Sequence, residues 1–124
     1  MGVLSLQDFR KIKVWEKAHL LTIAIYEATK PFPSDERYGL TSQLRRAAMS
    51  VPTNIAEGSG RRSDKEFANF MNIAMGFASE VEYLLLLSKD VGHLNQTIHA
   101  ALQADIEEVK RMLTAFQNKL RAEG

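Results

Sequence analysis

The chain has 124 residues, 45% of them hydrophobic and 25% charged, the balance of a single globular domain with enough material for one core. It contains no cysteine, which excludes disulfides, thiol nucleophiles and cysteine-ligated metals, and no apolar run approaches the roughly 20 residues of a bilayer span. The formal net charge is only +1, yet residues 10–65 hold eleven Lys/Arg against six Asp/Glu, while residues 66–124 hold five against eight. The first of these surfaces is the one expected to meet phosphates.

Residues 1–9 read as an arm without the basic-then-apolar layout of a signal peptide, so a cytoplasmic protein is expected. A first helix is expected over about 12–30, where Val14, Ala18, Leu21, Ile25 and Ala28 recur at the spacing of a bundle seam. Trp15, Thr22 and Tyr26 widen that stripe. Pro31 and Pro33 stop the helix, and Ser34 with Asp35 and Glu36 caps a second one over about 35–58.

Leu40, Leu44, Ala47, Ala48, Val51 and Ile55 mark the buried face of the second helix. Pro52 lies inside it and is expected to kink or break it, because proline removes a backbone donor and crowds the preceding turn. Gly58 and Gly60 are expected to end it in the left-handed conformation.

Ser63-Asp64-Lys65-Glu66 is a capping box opening a third helix over about 64–91, with a stop at Gly92. Its run Leu84–Leu87 is apolar on every side, which predicts burial on more than one face. Gly76, Ala78 and Ser79 are small enough for a neighbouring backbone to come close. Asn95 is expected to cap a fourth helix over about 96–121, whose seam is Ile98, Leu102, Ile106, Val109, Leu113, Phe116 and Leu120. No segment alternates with the strand period. The pattern predicts an all-α, antiparallel up-and-down four-helix bundle in one domain.

Catalytic chemistry finds little support. His19, His93 and His99 share no metal-ligand spacing with one another, and the Glu-x-x-His motif that di-iron bundles need on two helices occurs on one alone, at Glu16–His19. Glu80 and Glu82 cannot face the same way on a helix, and no serine sits in a nucleophile-elbow sequence. No enzyme activity, metal or cofactor is expected. Gly58-Ser59-Gly60-Arg61-Arg62-Ser63 matches neither a P-loop nor a dinucleotide fingerprint, and a helix end followed by a helix start accounts for it. What remains is a basic surface of Arg10, Lys11, Lys13, Arg45, Arg46, Arg61, Arg62 and Lys65, suited to phosphates rather than to base readout. Phe67, Phe70 and Phe77 fall on the core stripe of the third helix, so no aromatic stacking platform is expected.

The stretches Phe9–Trp15, Tyr38–Ala48 and Ser50–Arg61, with Ser79-Glu80-Val81-Glu82-Tyr83, resemble a family of small bacterial four-helix-bundle proteins. The founding members are encoded by intervening sequences within large-subunit (23S) ribosomal RNA genes. The resemblance spans nearly the whole chain; only Asn95-Gln96-Thr97 opens the fourth helix with less acid than is usual. It implies a ring-shaped homopentamer with a basic surface, and extends to accessory proteins of diversity-generating retroelements, which bind a reverse transcriptase and nucleic acid. Two expectations follow. One is a module for structured RNA or other nucleic acid using the basic residues above. The other is a homo-oligomeric scaffold for a protein partner, with Trp15, Tyr38, Pro52, Asn54 and Glu57 at the subunit contact and Arg45, Arg46 and Arg61 paired to Glu57 or to a neighbouring subunit.

Overall fold

The computed structural model describes residues 7–123. A 3₁₀ turn over Phe9–Lys11 leads into α1 (Lys13–Thr29), and a second over Ser34–Glu36 precedes α2 (Leu40–Ser59). The chain continues as α3 (Asp64–Asp90) and α4 (Gln96–Glu123). No strand occurs among the described residues. Each helix packs on two neighbours, α1 on α2, α2 on α3, α3 on α4 and α4 on α1, which is a four-helix bundle with α1/α3 and α2/α4 on the diagonals.

The core follows the stripes in the sequence. Phe67, Ile25, Leu44, Ile55, Met71, Leu85, Ile106 and Leu113 are among the largest fully buried side chains. Burying each contributes on the order of 1.5–3 kcal/mol before the entropy of ordering it is subtracted. The stripe edges are wetter than the pattern suggests: Ile98 and Leu86 are exposed and Ala28 is half-buried. Leu84 and Leu85 are buried, but Leu86 faces water, so the apolar run in α3 is not covered all round. α3 is also the helix with the length and mean hydropathy (1.3) of a membrane span, and Phe67, Met71, Ala74, Ala78, Val81 and Leu85 turn that apolarity into the bundle core.

The starts of α3 and α4 are capped as the sequence predicts. The Ser63 hydroxyl oxygen accepts from Glu66 N at 3.1 Å, and Asn95 Oδ1 accepts from Ile98 N at 2.8 Å. Gly92, at φ 87°, ends α3 while His93 N donates to Ser88 O at 2.9 Å.

Three expectations are corrected. α2 begins at Leu40 rather than near residue 35, because Ser34–Glu36 closes only a 3₁₀ turn and Gly39 adopts a non-helical backbone. Of the kink or break expected at Pro52, the break does not occur: α2 runs unbroken to Ser59. The carbonyl that proline deprives of a donor, Ala48 O, accepts from the Thr22 hydroxyl of α1 at 3.1 Å. Finally, Gly58 and Gly60 do not take the left-handed conformation. Gly58 lies inside α2, where an added Cβ would sit 2.7 Å from Phe67 Cδ1 and 2.8 Å from Phe70 Cβ. Its missing side chain lets α3 approach α2.

Candidate nucleic-acid interface

The antiparallel order sends the start of α1, the end of α2, the start of α3 and the end of α4 to one end of the bundle. Arg10, Lys11, Lys13, Arg61, Arg62 and Lys65 therefore gather there from two separate stretches of sequence. Arg10 through Lys13 precede or open α1, and Arg61 through Lys65 span the corner and open α3. All six are exposed. Lys119 and Arg121, in the last turns of α4, join them and are also exposed. Neither stands out in the sequence, where both lie in the net-acidic half of the chain. Three short connections and an up-and-down order return the C-terminus to the same end, so the signal was available in the topology.

Acidic residues in the same turns are fewer than the cations gathered there: Asp8, Glu16, Glu57, Asp64, Glu66 and Glu123. Asp8 is committed to Arg10, accepting from its backbone N at 3.0 Å and its guanidinium at 3.1 Å, and the backbone hydrogen bond with the adjacent charge holds the carboxyl below its usual range. Glu66 lies 3.3 Å from the Ser63 hydroxyl. Lys11, Lys13, Arg62, Lys65, Lys119 and Arg121 enter no ion pair among the described residues.

Arg45 and Arg46 lie elsewhere. By the helix rise of 1.5 Å per residue they are roughly 20 Å from the basic end, near the start of α2. Arg45 is also occupied: Nε donates to Thr29 Oγ1 at 2.8 Å, a terminal nitrogen donates to Tyr26 O at 3.3 Å, and the guanidinium carbon stands 4.8 Å from the Tyr26 ring centroid. It ties the end of α1 to α2. Arg46 is exposed and shares a shallow groove with Arg37, Ser42 and Met49. The eight cations thus divide into a cluster of six and a separate pair.

The corner between α2 and α3 spends its backbone donors internally. Gly60 N donates to Glu57 O, Arg61 N to Gly58 O and Glu66 N to Ser63 Oγ. Arg61 lies over the Phe70 ring, 4.6 Å from its centroid, which leaves its N–H edges free. Of the residues expected at a subunit contact, Tyr38 is 89% exposed and Glu57 is exposed, whereas Pro52 is buried within this chain. Asn54 is half-buried and donates to Ser50 O at 2.8 Å. Trp15 is half-buried, stacked on His19 at 4.8 Å and met edge-on by Phe9. That aromatic trio, beside Arg10, was not anticipated from spacing because Phe9 precedes the helix that carries the other two.

No group of three or more potential metal ligands occurs among the described residues. His19 stacks on Trp15, His93 bonds Glu36 and His99 is buried near the start of α4.

Residues 10–115 match the family described as 23S rRNA-intervening sequence protein. The chain belongs to that family. The match takes in all of α1 to α3, most of α4 and every cation singled out above except Lys119 and Arg121. A crystal structure of a protein of unknown function from the S23 ribosomal protein family of Bacteroides thetaiotaomicron superposes with a TM-score of 0.79. It is 21% identical, over 90% of this chain and 99% of that one, and the likeness is one of fold. A search of curated proteins returns no match.

Proposed function

We propose that this member of the 23S rRNA-intervening sequence protein family is a non-enzymatic, cytoplasmic binding module that holds structured RNA against the basic end of its bundle. The observation that carries the reading is the convergence of Arg10, Lys11, Lys13, Arg61, Arg62, Lys65, Lys119 and Arg121 at that end, most of them without a carboxylate partner among the described residues. Binding at such a surface draws on counterion release and weakens steeply with salt. The family's description, 23S rRNA-intervening sequence protein, makes RNA the first polyanion to test.

Fluorescence anisotropy with a labelled RNA hairpin, repeated at several salt concentrations, tests it. The expected result is a linear fall of log affinity with log salt, made shallower and weaker by Arg61→Glu with Arg62→Glu. Arg46→Glu, at the other end, leaves the slope nearly unchanged. No binding at low salt overturns the reading.

A second reading, a homo-oligomeric scaffold, is favoured by the outer face of α3. Ile73 and Tyr83 are exposed there on either side of Gly76, beside which an added Cβ would meet nothing within 4 Å. Exposed apolar side chains rimmed by polar ones are typical of contact surfaces. Light scattering decides it: a mass well above 14.0 kDa supports assembly, and a monomer at high concentration overturns it.

A further inference from the structure

A groove of about 420 Å³ lies between the N-terminal turn with the start of α1 and the last turns of α4. That is the scale of a small-ligand site, roughly 300–1,000 Å³. Val14, Met112 and Phe116 supply its apolar lining, and Lys11, Lys13 and Lys119 supply its charge. Phe116 is steadied by the fully buried Phe67, with ring centroids 5.3 Å apart. Among the described residues no carboxylate lines the groove and none of the three ammonium groups is ion-paired.

The next groove along α4 shows the contrast. Its cations, Lys110 and Arg111, are taken by Glu82 at 2.8 Å and Glu108 at 2.7 Å. Only the first of these two grooves combines uncommitted positive charge with an apolar floor. Its complement is a flat apolar body flanked by anionic groups. A paired duplex offers phosphates but keeps its bases stacked inside, whereas an unpaired nucleotide offers both.

We infer that this groove receives one unpaired nucleotide of a bound RNA, its base against Val14, Met112 and Phe116 and its flanking phosphates on Lys11, Lys13 and Lys119. The inference rests on the RNA-binding reading and adds a structural preference to it: a bulge or loop is seated at the groove while the remaining cations hold the adjoining helix.

Two labelled RNA duplexes that differ by a single unpaired purine, titrated with the full chain by anisotropy, test the inference. The bulged RNA is expected to bind about tenfold tighter, the size of one base–aromatic stack. Ala115, exposed at the groove, offers a variant that fills the space without removing charge. Ala115→Phe is expected to abolish the preference and leave the paired duplex bound within about twofold. Equal binding of both RNAs with a steep salt slope overturns base capture and leaves the basic end standing as an RNA surface. Failure of both RNAs to bind overturns both readings, and a preference that survives in Ala115→Phe places the base elsewhere. A 6-thioguanosine at the bulge gives a readout that does not depend on the variant's folding: its photo-crosslink is expected at Val14 or within residues 112–119, and a crosslink confined to α2 or α3 overturns the inference.

Discussion

The hydroxyl of Thr22 donates to the carbonyl of Ala48 at 3.1 Å, the acceptor that Pro52 cannot serve because it has no N–H. The same hydroxyl lies 2.8 Å from Ala18 O, so one proton is shared between its own helix and the next. Thr22→Val keeps the shape and removes the donor, leaving a buried carbonyl unpaired at a cost of about 1–3 kcal/mol. Pro52→Ala restores the missing N–H. In that background Thr22→Val is expected to cost less than about 1 kcal/mol. Urea denaturation of the four proteins of this double-mutant cycle measures the coupling. Additive losses would mean that Ala48 finds its partner elsewhere.

Arg45 separates stability from binding. Its contacts to Thr29 Oγ1 and Tyr26 O satisfy groups in the last turn of α1, where a cation also suits the helix dipole. Arg45→Ala is expected to lower stability by about 1–2 kcal/mol and to leave RNA affinity within about twofold, since it lies far from the basic end. Arg61→Ala is expected to do the reverse, with little change in midpoint and a weaker, less salt-dependent complex. The pair is measured by thermal melts and anisotropy on the same preparations. Equal loss of binding in both variants would extend the interface along α2.

Most of the fold was legible because period and punctuation agree. Val14, Ala18, Leu21 and Ile25 could only be one helix face, and Ser63 and Asn95 announce starts that the hydrogen bonds bear out. What escaped depends on partners distant in sequence. Pro52 predicts a break only if Ala48 O is left alone, and that carbonyl's partner, Thr22, is 26 residues upstream of Ala48. Gly58 next to Gly60 reads as a helix end, and only the arrival of Phe67 and Phe70 gives it another purpose. The candidate interface was half legible for the same reason. Charge pattern picked out the cations of residues 10–65 but could not say that Arg45 is spent on Thr29, or that Lys119 folds back beside Lys11 and Lys13.

Acid should loosen the opposite end of the bundle. Glu36 Oε2 meets His93 Nε2 at 3.0 Å and Oε1 accepts from Leu40 N at 3.3 Å, joining the connection before α2 to the turn after α3. The His93 hydrogen bond first, then the Leu40 N–H, holds the Glu36 carboxyl below its ordinary value of 4.5. A depressed carboxylate stabilises the folded state above the unfolded-state value, and that contribution disappears as pH falls from there through the folded-state value. Glu36→Gln is therefore expected to be less stable than the native chain near pH 7 and to show a shallower decline in melting temperature below about pH 4.5. Parallel melting profiles across that range would remove Glu36 as a source of acid sensitivity.

Gly58 and Gly76 give opposite answers to the same substitution. Both lie within helices, where alanine is intrinsically better than glycine by up to about 1 kcal/mol. At Gly76 an added Cβ meets nothing within 4 Å, so Gly76→Ala is expected to stabilise the chain by about 0.5–1 kcal/mol. At Gly58 the new methyl would stand 2.7 Å from Phe67 Cδ1 and 2.8 Å from Phe70 Cβ. The Phe70 Cβ is fixed to the backbone of α3 and cannot swing aside, and Phe67 is fully buried in the core. α2 and α3 must therefore separate, and overpacking of this kind costs about 1–3 kcal/mol, enough to reverse the propensity gain. Paired urea titrations measure both signs. If Gly58→Ala is as stable as Gly76→Ala, the close approach of α2 and α3 is not what excludes a side chain at residue 58.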